Sequence, residues 1–268
     1  MAGLSINEVT TYRWSFEEDV AQYRQCGIDA IGVWRQKLAD YGEDKGADLL
    51  AESGLAVSNL LWAGGFTGSD GNSYQESLED ARSAVTLAAT LRTRHLVVYS
   101  GSRNGHTQNH ARRLFTGALR ELLPMAAELD VTLAIEPMHA GCAEEWTFLT
   151  DLNEALEFVQ SFDNPYLKLA FDTYHWGLEP SIEKRLGSMA EYIGIVHLGD
   201  GASPPDCEQN RHPLGDGKVP LADIIKALRA GGYNGYYDVE LFGEEIENSD
   251  YRQLLESSKQ AYERLSVA

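Results

Sequence analysis

The stretch Val131-Thr132-Leu133-Ala134-Ile135-Glu136-Pro137 decides how the rest of the chain reads. Its first five residues are apolar or β-branched and lack the polar alternation of a strand with one wet face. A run that short suits a strand buried on both faces of a parallel sheet better than a helix. Similar runs lie outward from it at residues 30–34, 56–61, 95–99, 167–171, 193–196 and 236–239, with a weaker one at 4–6. Between them the period changes to that of amphipathic helices, most clearly over residues 74–92, 110–129, 152–162 and 221–229. Ser15 and Ser73 stand where helix N-caps are expected, and Gly27, Gly54 and the pair Gly231-Gly232 stand where helices should stop. The strands recur about every 30 residues, the size of one βα unit. Eight such units predict an α/β fold of the (β/α)8 TIM-barrel class, occupying residues 1–268 as a single domain. A doubly wound open sheet is the alternative. No glycine-rich fingerprint follows the first strand, so nothing supports a dinucleotide site.

Composition narrows the function. The chain has 268 residues, 43% of them apolar, and a formal net charge of -19. A surface that negative repels nucleic acid and anionic membranes, so neither is an expected partner. Cys26, Cys142 and Cys207 are too scattered for a disulfide framework or a zinc knuckle. The first ten residues carry no signal-peptide pattern, and no segment approaches the roughly 20 apolar residues of a membrane span. These features predict a soluble, cytoplasmic protein, and they leave assembly into a homo-oligomer open.

In a TIM barrel the active site forms at the C-terminal ends of the strands. The fifth strand ends in Glu136, the sixth in Asp172, the seventh in His197 and the eighth in Glu240. A single glutamate there is ordinarily a solvated loop residue, and a single histidine after an apolar run is ordinarily part of the core. Four on successive strands would crowd three carboxylates and an imidazole at the barrel mouth. Like charges that close need a counter-charge. The reading is therefore one divalent metal ion held by Glu136, Asp172, His197 and Glu240. Oxygen-rich ligands favour Mn²⁺ or Mg²⁺, and the imidazole leaves Co²⁺ and Zn²⁺ open.

The motifs Ile135-Glu136-Pro137, Asp172-x-x-His175, Val196-His197-x-x-Asp200, Gly215-Asp216-Gly217, Gly232-Tyr233-x-Gly235 and Glu240 together resemble the xylose-isomerase-like TIM barrel superfamily. The resemblance covers about residues 131–242, and Glu240-Leu241-Phe242 and the Gly215-Asp216-Gly217 turn look most like the inosose isomerases. It implies the same four metal ligands, with Glu136 and Glu240 doubling as catalytic acid and base. It further implies that His175 contacts substrate and that Trp14, Trp34, Trp62 and Trp146 are candidates for the pocket wall. The typical ketose 3-epimerase has an arginine soon after the strand-seven histidine. Here that stretch reads Gly201-Ala202-Ser203-Pro204, so Arg211 or His212 is the expected replacement from the long loop. Endonuclease IV adds histidines at the ends of its third and fourth strands, which here read Asn59-Leu60-Leu61-Trp62 and Val98-Tyr99-Ser100-Gly101.

The expected activity is isomerisation or epimerisation of a small sugar or inosose, by proton transfer through an enediolate beside a metal-polarised carbonyl. A dehydratase acting on an inosose or dehydroshikimate-like compound would use the same site. An endonuclease IV-like phosphodiesterase and a non-catalytic sugar-binding barrel fit the sequence less well. The loops over residues 140–147 and 201–218 follow ligand-bearing strands and are expected to cover the site.

Overall fold

The computed structural model describes residues 3–267. Among them, eight parallel strands close into a barrel in chain order: β1 Leu4–Asn7, β2 Ala30–Trp34, β3 Ala56–Gly64, β4 His95–Tyr99, β5 Thr132–Ile135, β6 Leu167–Asp172, β7 Ile193–Leu198 and β8 Tyr237–Val239. Closure is made by β1 against β8, with Leu4 opposite Tyr237 and Ser5 opposite Asp238, which excludes the open sheet. The outer layer is built from α1 Phe16–Gln25, α2 Arg35–Tyr41, α3 Glu43–Ser53, α4 Tyr74–Thr90, α5 Gln108–Glu128, α6 Leu152–Gln160, α7 Thr173–Trp176, α8 Ile182–Met189, α9 Leu221–Ala230, α10 Glu244–Glu247 and α11 Tyr251–Val267. Among the described residues no helix is long and apolar enough to cross a membrane.

The local signals act as their chemistry demands. Ser15 and Ser73 each complete a capping box, with Glu18 and Glu76 reaching back to the cap backbone. Gly54 ends α3 in the left-handed conformation that a glycine adopts without steric cost. The helices expected over 74–92 and 152–162 stop two residues early, because Leu91 and Ser161 already cap the last turns. The expected strand over 56–61 instead runs to Gly64, carried along β4 through an irregular register.

Most of the core lies between the barrel and its helices, around Phe16, Tyr23, Phe66, Phe115 and Phe158. The barrel interior divides into two halves of different chemistry. Leu61, Val97, Ala134, Ala170 and Ile195 make an apolar cluster. Ser5, Asn7, Ser58, Asn59 and Asp238 are equally buried and hydrogen-bonded to one another.

Candidate metal centre and active site

Register brings the four predicted residues together. Asp172 pairs with His197 across β6 and β7, so both side chains lie at the same height. Glu136 and Glu240 come directly after β5 and β8, and each prolongs the ladder: the Glu136 N–H donates to Val98 O at 3.1 Å and the Glu240 N–H to Leu198 O at 2.9 Å. All four are buried, and one ligand atom from each lies within 4.8 Å of the others. His197 Nδ1 faces Glu136 Oε1 at 3.1 Å and Glu240 Oε2 at 2.6 Å.

One cation side chain meets the cluster. Arg211, buried at 2% exposure, reaches in from the loop after β7. Its Nη2 lies 2.8 Å from Asp172 Oδ2, and its Nη1 donates to Glu240 O at 2.7 Å. The guanidinium is sandwiched between Phe242 and Tyr174, 4.2 and 4.8 Å from the ring centres.

These groups perturb one another strongly. Burial opposes ionisation of Glu240, but the charges of His197 and Arg211 outweigh it and draw the carboxyl down to about 2. Burial raises Glu136, and His197 only partly offsets it. Burial also opposes charging of His197, yet Glu240 and Glu136 hold it well above the usual imidazole range. His175 is buried too, and desolvation brings it down to about 4 against the pull of Asp172. Its Nδ1 lies 3.3 Å from Cys142 Sγ, and burial pushes that thiol up to about 12.

The donor set fits a divalent cation. Asp172 Oδ2 and Glu240 Oε2 are buried, and neither contact to Arg211 or His197 has the angles of a hydrogen bond, so both oxygens keep lone pairs free. Three carboxylates against Arg211 leave two negative charges when His197 is neutral, which one such ion balances. With no thiolate in the set, a structural zinc site is excluded.

A pocket of about 270 Å³ opens over this centre. Glu136 and Glu240 line it, whereas Asp172 and His197 lie beneath. Trp34, Trp62, Trp146, Tyr12 and Phe242 form its walls, and His175, Arg211, Gln209 and Glu247 complete it. Trp34 meets Trp62 edge-on, and Trp146 leans on Trp62 at 5.5 Å. A larger cavity, about 990 Å³, opens at the opposite end of the barrel and touches none of the four residues.

Two of the residues expected at the substrate do not line this pocket. Trp14 stands away from the pocket, its ring edge-on to Tyr251 at 5.3 Å, because the turn after Thr11 directs it outward against α11. His212 pairs its backbone with Asp200 in an isolated bridge and does not line the pocket, whereas Arg211 beside it points inward. Tyr12, Phe242 and Glu247 were not anticipated. Phe242 follows Glu240 at the two-residue spacing that returns a strand side chain to the same face, a signal present in the sequence. Tyr12 follows a short turn and Glu247 ends the one-turn helix α10, segments too brief to carry a period.

Comparison with known proteins agrees with this geometry. A family model described as xylose isomerase-like TIM barrel matches residues 20–261. The chain belongs to that family. A D-psicose 3-epimerase from Enterocloster bolteae is 33% identical over 125 residues, which is 46% of this chain and 38% of that protein. The chain thus spans less than half the length of the epimerases it matches by sequence. An inosose isomerase from Bacillus velezensis is 24% identical over 97% of this chain and 95% of its own. The solved structure of a protein from Sinorhizobium meliloti 1021 superposes with a TM-score of 0.90 at 27% identity, covering 98% of both chains. The relatives named here are a D-psicose 3-epimerase and an inosose isomerase.

Proposed function

We propose that this chain is a metal-dependent isomerase or epimerase that moves a proton beside the carbonyl of a small, uncharged keto-polyol such as a ketose or an inosose. One observation carries the reading: four buried ligand atoms lie within 4.8 Å of one another, and the two glutamates among them also face a pocket. Glu136, Asp172, His197 and Glu240 are the proposed ligands. A divalent cation held there supplies Lewis-acid polarisation of the carbonyl and makes the neighbouring C–H more acidic.

The chain's own groups do the rest. For isomerisation, a carboxylate of Glu136 or Glu240 removes the carbon-bound proton and returns it to the neighbouring carbon while the hydroxyl proton passes between the two oxygens. For epimerisation, one glutamate removes the proton from one face and the other donates a proton to the opposite face, the pair resetting through solvent. The two glutamates come from strands β5 and β8, so they flank whatever enters the pocket from different sides. Arg211 is engaged with Asp172 and the Glu240 carbonyl, and it holds both in place. The tryptophan walls offer flat apolar faces to the C–H face of a ring and exclude water from the enediolate. Arg211 is the only cation among the described pocket residues, and Glu247 adds negative charge at the rim, which favours a substrate without phosphate.

The test is product analysis over a panel of ketoses, inososes and dehydroshikimate, in D2O. Deuterium at the carbon beside the carbonyl of a rearranged product is the expected result. A product lacking the elements of water would turn the reading into a dehydratase. Rearrangement without any solvent deuterium would point to hydride transfer and overturn the proton mechanism.

A further inference from the structure

We infer that Thr10 is a positioning residue for Glu240: its hydroxyl clamps the backbone on both sides of the glutamate and so sets where the carboxylate stands. The inference rests on the proposed role of Glu240 as a ligand and base.

Glu240 needs such a clamp because β8 is short. The strand is three residues long, and Glu240 follows its last residue, Val239. Pairing with β1 ends there too, at Ile6 opposite Val239. β1 stops at Asn7, and the chain enters a single 3-10 turn, Glu8–Thr11. On the β7 side Glu240 is well held. Its N–H donates to Leu198 O at 2.9 Å, and its carbonyl accepts from Arg211 Nη1 at 2.7 Å. The groups of Val239 and Leu241 face the other way, toward the place that β1 has left. Buried backbone groups there need partners. Thr10 supplies both: its Oγ1 donates to Val239 O at 2.9 Å and accepts from Leu241 N–H at 3.0 Å. One hydroxyl thus extends the ladder with Glu240 between its two bonds. Thr10 is 1% exposed and Val239 and Leu241 are 0% exposed, so bulk water does not compete for these groups.

The turn that carries Thr10 is itself fixed. Buried Lys37 Nζ donates to Glu8 O at 3.1 Å and to Thr11 O at 2.9 Å, the two ends of the turn. The same ammonium pairs with buried Asp19 Oδ2 at 2.6 Å, and Thr11 Oγ1 donates to Asp19 Oδ1 at 2.6 Å. Glu8 Oε2 accepts from the N–H of Trp34, a wall of the pocket, at 2.7 Å. A buried ion pair adds little net stability, because desolvation offsets its attraction. What this one supplies is a rigid base from which Thr10 reaches β8.

Thr10→Val keeps the shape and removes both bonds, whereas Thr10→Ser keeps the hydroxyl. Mn²⁺ affinity is read by titration calorimetry on folded protein, beside thermal melting without metal. The expected result is binding about 10–100-fold weaker in Thr10→Val, the range for groups that orient a metal ligand, and restored in Thr10→Ser. Phe158→Leu, a core change on α6, controls for stability: it should lower the Tm and leave Mn²⁺ affinity unchanged. If Thr10→Val lowers the Tm but binds Mn²⁺ as the wild type does, Thr10 is merely structural and the inference is overturned. It is overturned equally if Thr10→Ser fails to restore binding, which assigns the loss to the methyl group, or if Phe158→Leu weakens binding as much. Should Thr10→Val not fold, hydrogen exchange of the wild type decides. A Leu241 amide as slow as those of the barrel strands supports the clamp, and exchange at loop rates overturns it. A wild-type chain that binds no Mn²⁺ removes the proposed function and this inference with it, a different result from equal binding by wild type and Thr10→Val.

Discussion

At the scale of single residues, the site depends on which lone pairs point at a common centre. Glu240 shows this best. Burial opposes its ionisation, but His197 and Arg211 draw its carboxyl down to about 2, so it stays ionised through the neutral range and open to a cation. Glu240→Gln keeps the shape and one carbonyl oxygen but removes the basic one. Turnover should fall by roughly 10²–10⁴-fold, the range for a lost general base. Metal content measured on the same protein separates lost chemistry from lost metal, and near-full turnover in a metal-loaded variant would remove Glu240 from the mechanism. The four clustered residues were legible in the sequence because each is the first ionisable group at the end of an apolar run, a position with a fixed address in a barrel. The tryptophans had no such address. Trp34 and Trp62 lie on strands at the barrel mouth and face the pocket, whereas Trp14 sits in a turn whose direction no periodicity encodes.

At the scale of elements, the connection from β7 to α9 shows what motif recognition leaves unexplained. Gly215-Asp216-Gly217 was visible as a motif, but its reason lies in Asp200. The Asp200 carboxylate accepts from the backbone N–H groups of Gly201, Gly215, Gly217 and Val219 at 2.8–3.1 Å, which pins both ends of the loop. A side chain at Gly217 would overlap that carboxylate. The pinned loop is what delivers Arg211 to the site, a long-range arrangement that no local pattern announces. Strands also carry ionisable groups away from the chemistry. His95 opens β4, and its Nδ1–H donates to Ser58 O at 3.2 Å. Desolvation lowers this imidazole from its ordinary value near 6.5 to about 4. Its folded-state value is therefore below the unfolded one, so the unfolded chain binds the proton first. The contribution of neutral His95 is fully present above pH 6.5 and is lost as pH falls from there toward 4. The loss is up to about 3 kcal/mol at about 1.4 kcal/mol per unit. Urea unfolding at pH 7 and pH 5 should show a smaller acid loss in His95→Gln, which can still donate to Ser58. An identical loss in both proteins would mean that His95 is not desolvated.

At the scale of the whole molecule, the closed barrel brings four side chains from four strands to one end and holds them buried, where their mutual repulsion cannot be relieved by water. Three carboxylates with Arg211 leave two uncompensated charges once His197 is neutral. A chain of net charge -19 also gathers cations loosely all over its surface, so stabilisation by metal must be separated from this general effect. The two differ in strength and in screening. Surface attraction fades within a Debye length of about 8 Å at physiological salt and is matched by any added electrolyte, whereas a buried cluster is screened little. Chelator treatment should therefore lower the Tm, and Mn²⁺ at about 100 times its Kd should restore about 2.7 kcal/mol, or roughly 5–10 °C for a chain of this size. NaCl at the same ionic strength should not reproduce the gain. Asp172→Ala removes one ligand and leaves the surface charge almost unchanged, so it should abolish the Mn²⁺ response while leaving the salt response intact. If Mn²⁺, Mg²⁺, Co²⁺ and Zn²⁺ all fail to move the wild-type Tm beyond the NaCl control, the four residues form an ion-paired cluster and not a metal centre.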